Sequence, residues 1–260
     1  RRERLSLAEI QDFYGANYRP DGSILVITSP ETVDTVAALV QENLGIWKNP
    51  DGLPWEARKQ GTMRKLPEET LRFTAIDQTR ENVVILFQSA SGNGDPAERD
   101  AQLGIGGVIL GDGFTGRMFR NLRVRQGLTY SANAWVQEVA PGQRIFGGFL
   151  LASPANLEAA LAGWKGEVAN IQNTGPTRVE YAFAKNRILN SYAFRFSDTE
   201  SIHEYLVGAL TFGKPIDHAL TDFEATWKAN YTGFTKVWKE TIAPDRMLIT
   251  IAGPGSPTAQ

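Results

Sequence analysis

The 260-residue chain contains no cysteine and only two histidines, His203 and His218. The first absence removes thiol nucleophiles, disulfides and thiolate metal sites. The second removes nearly every histidine-rich metal centre. No apolar run approaches the roughly 20 residues that a membrane-spanning helix requires. The opening Arg1-Arg2-Glu3-Arg4 has no apolar signal core behind it and the first residue is not Met, so the chain reads as an excised piece of something longer. Excess charge is lacking too: 27 Lys+Arg against 29 Asp+Glu leave −2, which gives no global pull toward nucleic acid or an anionic membrane. Zero cysteine fits the cytoplasm as well as a disulfide-free exported protein; for a bacterial chain the periplasm is favoured over the cytoplasm.

What is present describes an ordinary folded chain. Hydrophobic residues make up 42% and charged residues 22%, and the length suits one large or two modest domains. Leu7, Ile10, Phe13 and Tyr14 recur at helical spacing behind a Ser6/Glu9 capping box. After Pro20-Asp21-Gly22, the run SILVIT reads as a buried strand, and Val33 to Leu44 as a helix ended by Gly45. The segment from Trp47 to Gly61, rich in Pro, Gly, Trp and charge, reads as a connector with a domain boundary near 48–62. TLRFTAIDQT and NVVILFQSA follow as strands, and Glu98 to Leu110 as a helix with Leu103, Ile105, Val108 and Ile109 facing inward. Next come a glycine-rich turn, a helix GRMFRNLRVRQ closed by Gly127, and a hairpin joining LTYSANAWVQ to IFGGFLLA. Start signals then mark four helices, at Ser153-Pro154, at the Thr177/Glu180 capping box, at Ser197-Asp198 and at Thr232, before a final strand RMLITIAG.

Two segments match each other without gaps. PDGSILVITSP (20–30) and PDRMLITIAGP (244–254) share Pro-Asp, a compact apolar strand, a small pair and Pro, each behind an aromatic-bearing helix. Two independent strands after Pro turns would look the same; duplication is the favoured reading. On that reading residues 1–55 are the terminal helix-strand-helix segment of a preceding homologous domain, and 56–260 form the next domain.

Gly111-Asp-Gly-Phe-Thr-Gly116 fits a formal G-x-G-x-x-G, but the segment before it has helical length rather than a strand's, so the pattern reads as a helix-to-helix turn. The following helix carries Arg117, Arg120, Arg123 and Arg125 with no acid among them. Solvated surface arginines or a phosphate-binding patch would account for most of these. Arg123, however, lies four residues after Phe119 and one after Leu122, on or beside the buried face, where an arginine needs a specific partner. Across Gly127, Tyr130 begins the next strand, so Arg123 and Tyr130 can reach one surface. Two donors there could polarise a carbonyl or an oxyanion; packing alone remains the alternative.

The string ILGDGFTGRMFRNLRVRQGLTYS resembles the second-half signature of the pitrilysin/insulinase family of zinc metallopeptidases, which includes the mitochondrial processing peptidases. YRPDGSILVIT and APDRMLITIAGP resemble the strands that close the two halves in that family. The resemblance implies an α+β fold, a mixed and largely antiparallel sheet layered with helices. It also implies a partner half that carries the zinc motif H-x-x-E-H and uses its glutamate as general base. The family's substrate-holding arginine and tyrosine fall on Arg123 and Tyr130, which would bind the substrate backbone and stabilise the transition state. No H-x-x-E-H occurs here; His203 is followed directly by Glu204 and His218 stands alone, so both read as packing or surface histidines.

The resulting expectation is an inactive-type, non-zinc half of a zinc metalloendopeptidase. It would have no cofactor and no proteolytic activity of its own, with zinc in a homologous half on the same polypeptide or a separate subunit, and an extended peptide as substrate. The alternative is a peptide-binding or scaffold domain of a degenerate family member. A nucleic-acid module rests on the arginine cluster alone and is set aside, as is membrane binding.

Overall fold

A computed structural model describes residues 5–49, 66–76, 81–90 and 95–254. The chain divides into two compact units, one of residues 1–61 with 197–214 and the other of residues 62–196 with 215–260. The connector expected at 47–61 lies outside the described residues from position 50 onward.

The described part of the first unit contains three helices, α1 (Leu7–Asn17), α2 (Val33–Leu44) and α6 (Thr199–Thr211). Sequence dictates each start. Ser6 and Glu9 close a reciprocal capping box on α1, Thr32 accepts from the Thr35 amide at the start of α2, and Asp198 accepts from the Ser201 amide at the start of α6. Neither α1 nor α2 buries a residue. The run 23–28 corrects the sequence expectation: it is neither paired as a strand nor buried, and Ile24, Leu25 and Ile27 are exposed. Apolar β-branched composition marks what a strand would bury, but a strand exists only where a neighbour takes its backbone hydrogen bonds, and none among the described residues does.

The second unit is built on a five-stranded sheet in the order β1-β5-β2-β4-β3. The strands are β1 (Thr70–Ala75), β2 (Asn82–Ser89), β3 (Ser131–Ala140), β4 (Gln143–Ala152) and β5 (Leu248–Gly253). Only β1 and β5 run parallel; the other three pairings are antiparallel, giving the mixed, largely antiparallel sheet expected. Of the two matching segments only the second, as β5, enters a sheet. β3 and β4 form the expected hairpin, with Gly142 at φ +68 in the turn and a register shift between Glu138 and Ala140.

Helices α3 (Pro96–Gly111), α4 (Leu157–Thr174), α5 (Arg178–Phe194), α7 (His218–Lys228) and α8 (Tyr231–Thr241) belong to this unit. Two of them correct the sequence reading. Helix α8 starts at an Asn230 cap that accepts from the Gly233 amide, two residues ahead of Thr232. Helix α7 is not among the four helices expected; it begins without a side-chain cap, so a search for start signals passes over it.

The core lies between the sheet and the helices. Val84 and Leu86 of β2 meet Phe146 and Leu150 of β4, all fully buried, in one cluster with Leu103, Ile105 and Leu110 of α3. Phe146 touches two buried tryptophans, Trp164 at 5.8 Å and Trp238 at 5.4 Å between ring centroids. Each indole lies where a glycine leaves room: a Cβ at Gly148 would collide with Trp164, and one at Gly106 with Trp238. The Trp164 indole N–H also donates to the Asn133 carbonyl at 2.9 Å, tying α4 to β3 just beyond Tyr130.

Candidate functional site

The site lies where α3 hands over to β3. The formal G-x-G-x-x-G is a helix-to-helix turn, as its surroundings in sequence implied. Gly113 takes φ +45, and Gly116 approaches the α3 backbone too closely for a side chain. The next segment, Met118–Arg125, is helical as expected but wound as a π-helix. Its wider turn shows in the Gln126 amide, which donates to the carbonyl of Asn121 five residues back. Such insertions recur at functional sites because they reset which side chains share a face. Met118 and Leu122 remain buried as anchors, and Gly127, at φ +63, turns the chain toward β3.

The four arginines diverge in role. Arg117 makes a two-pronged ion pair with Glu180 at the start of α5, Nε to Oε1 at 2.9 Å and Nη2 to Oε2 at 2.8 Å. Glu180 is also the carboxylate of the Thr177 capping box, accepting from the Thr177 amide at 2.8 Å. The Arg117 bonds, helped by that amide, hold the Glu180 carboxyl down to about 2, and in return they raise the Arg117 guanidinium above its ordinary value. Arg120 approaches the same carboxylate only at 3.4 Å and is half exposed. Arg125 is exposed.

Arg123 and Tyr130, the two residues singled out from sequence, come together. The Arg123 Cζ lies 4.3 Å from the Tyr130 ring centroid and 4.9 Å from that of Phe119, a cation–π contact with both rings. Tyr130 is 66% exposed, so its hydroxyl faces an open surface. Among the described residues no carboxylate lies within ion-pairing distance of Arg123. A guanidinium held over a ring in this way, beside a phenol, brings two kinds of donor within reach of one carbonyl or oxyanion.

Sequence reasoning missed three participants. Glu180 was legible as a cap but not as the partner of Arg117, 63 residues away. Asp112 fixes the glycine turn, accepting from the Thr115 hydroxyl at 2.8 Å and pairing with Arg187 of α5 at 2.7 Å. Phe114 projects from that turn and meets Phe119 edge-on, centroids 4.9 Å apart. The turn motif drew attention to its glycines; Phe114 gave no periodic signal.

The His203 ring is 3.4 Å from the Thr28 hydroxyl, and His218 starts α7 with Nδ1 3.0 Å from the Pro215 carbonyl. Among the described residues no three metal-ligating side chains cluster. No helix of the described residues is long and apolar enough to cross a membrane.

The family model of the peptidase M16 inactive domain matches residues 4–188. No protein of curated function matches the chain. Among solved structures, the peptidase M16 inactive domain from Pseudomonas fluorescens superposes with a TM-score of 0.75 at 18% identity, over 97% of this chain and 58% of that one. A protease from Helicobacter pylori gives 0.77 at 13% identity, over 96% of this chain and 59% of that one. The periplasmic protease PqqL from Escherichia coli gives 0.64 at 14% identity, over 98% of this chain and 30% of that one. The chain thus spans about three fifths or less of these structures, which share its fold. The sequence match over 4–188 bears out the resemblance carried by the Arg123 to Tyr130 string: this chain belongs to the peptidase M16 inactive-domain family.

Proposed function

We propose that this chain is the non-zinc half of a zinc metalloendopeptidase, acting on an extended peptide bound against a homologous zinc-bearing half. Arg123 holds the substrate backbone, and Tyr130 donates its hydroxyl to the oxyanion that forms as the peptide carbonyl is attacked. The observation that carries this reading is the cation–π contact of Arg123 with an exposed Tyr130, with no carboxylate of the described residues to neutralise it. A purely structural arginine would be expected to have such a partner, as Arg117 has in Glu180.

On this reading zinc and the general base belong to the other half. Residues 1–55 belong, on the same proposal, to the end of a preceding homologous domain, and 56–260 to the inactive-type domain. The unburied apolar faces of α1 and α2 and the unpaired run 23–28 support that division. For a bacterial chain, the periplasm is the proposed compartment.

The test uses the full-length protein with its zinc half. Arg123→Ala and Tyr130→Phe should each lower kcat/KM for peptide hydrolysis by about 10²-fold, the scale of losing one transition-state donor. Unchanged hydrolysis in both variants overturns the reading and leaves a scaffold or peptide-presenting domain.

A further inference from the structure

Two arginines of one helical segment are fixed in different ways. Arg117 gives two of its N–H groups to Glu180, at 2.9 and 2.8 Å. Arg123 has no carboxylate partner among the described residues; its Cζ lies over two rings instead, 4.9 Å from the Phe119 centroid and 4.3 Å from that of Tyr130. An ion pair would set a carboxylate against the Arg123 donors, in competition with a substrate carbonyl for them. Ring contacts restrain the charge without such a competitor.

The two rings are not equivalent. Tyr130 lies just before β3 and is 66% exposed. Phe119 is half-buried and follows the fully buried Met118 on the π-helix. It is also braced by Phe114, which meets it edge-on with centroids 4.9 Å apart and planes at 89°. Phe119 is therefore the ring with a fixed seat. It stands one turn before Arg123 on the same segment, where side chains share a face. A long arginine side chain gives up much rotamer freedom when it is ordered, so a contact that orders it in advance lifts that cost from substrate binding and catalysis.

We propose that Phe119 is a positioning residue for peptide hydrolysis: its ring orders the Arg123 guanidinium against Tyr130, so that both donors stand together before a peptide arrives. The proposal rests on the reading of Arg123 as the group that holds the substrate backbone. Phe119 acts through Arg123 and takes no part in making or breaking bonds.

The test is a double-mutant cycle in the full-length protein with its zinc half. Phe119→Leu keeps an apolar side chain but removes the π face. It should lower kcat/KM for peptide hydrolysis about tenfold, the scale of one cation–π contact, whereas Phe119→Tyr should hold the parent's value. In the Arg123→Ala background Phe119→Leu should cost nothing further, because the group it positions is gone. A second readout needs no turnover. Modification of Arg123 by phenylglyoxal, followed by peptide mass spectrometry, should be several-fold faster in Phe119→Leu than in the parent and unchanged in Phe119→Tyr. Arg117, which is held by Glu180, serves as the reference and should keep its rate.

The positioning role is overturned when Arg123→Ala lowers hydrolysis but Phe119→Leu does not, or when the two losses add. It is equally overturned when Phe119→Leu leaves the Arg123 modification rate unchanged, or speeds Arg117 alike, which is the mark of a loosened fold. Failure of the catalytic reading shows in Arg123→Ala alone, as unchanged hydrolysis.

Discussion

Arg117 and Glu180 join the π-helix to the first turn of α5 through two parallel hydrogen bonds of 2.9 and 2.8 Å. The same carboxylate caps α5, so one side chain serves helix formation and tertiary attachment together. Its low pKa sets the acid response. The group is held at about 2 in the fold against 4.5 in the free state, so its contribution is complete above pH 4.5 and is lost as pH falls toward 2. Denaturant titrations across that window should show the loss, and Glu180→Gln should lower stability at pH 7 by about 2 kcal/mol, allowing for solvent screening of a partly exposed pair. A variant whose stability and acid sensitivity match the parent's would show that the pair does not hold the site in place.

Tyr181 responds at the opposite end of the pH scale. Its buried hydroxyl has no hydrogen-bond partner among the described residues, and burial pushes its pKa up to about 12 from 10.0. The fold therefore keeps this contribution below pH 10 and loses it as pH rises toward 12. Tyr181→Phe removes the unpaired polar atom and keeps the ring contacts with Tyr231 and Phe234. Thermal melts should show a gain of up to about 1 kcal/mol at neutral pH and a reduced alkaline loss.

Gly148 tests the core. A methyl group there meets both the Trp164 indole and the backbone carbonyl of Asn133, and the latter has no rotamer through which to yield. Gly148→Ala should cost about 2 to 3 kcal/mol by chemical denaturation. Gly166, on the same helix as Trp164, has open space where an alanine methyl would stand, with nothing within 4 Å, and should accept the substitution without loss.

Tyr130→Phe should leave stability within about 0.5 kcal/mol of the parent, because the hydroxyl sits on an exposed residue and the ring contact with Arg123 survives. Thermal melting of the variant checks this. A large loss would mean that the phenol supports the fold, and changes in hydrolysis could then not be assigned to the oxyanion.

Local signals carried well from sequence to structure. Ser6/Glu9 and Thr177/Glu180 formed their capping boxes, Gly127 took the positive φ its place required, and the β3–β4 hairpin closed where its turn residues lie. What could not be read depended on distant partners. SILVIT has a strand's composition, but pairing depends on a neighbour that its own residues do not encode. Arg117 and Arg123 look alike in sequence; Glu180 distinguishes them, and nothing in the local pattern links positions 63 residues apart. The juxtaposition of Arg123 with Tyr130 was legible because only a short helix end and a glycine separate them. Phe114 was not, since a turn residue has no periodicity to betray its contact.

The π-helical winding of Met118–Arg125 makes residue count, as well as residue identity, a constraint on the site. Met118 and Leu122 are fixed in the core below, while Arg123 must come out against two rings above. Deleting one residue between Met118 and Leu122 would let the segment tighten to the ordinary winding and turn everything after the deletion by about 100° around the axis. The guanidinium would leave the phenol even with every aromatic and every arginine retained. In the relatives of this chain, therefore, an insertion or deletion within this stretch should be as damaging as loss of Arg123 itself.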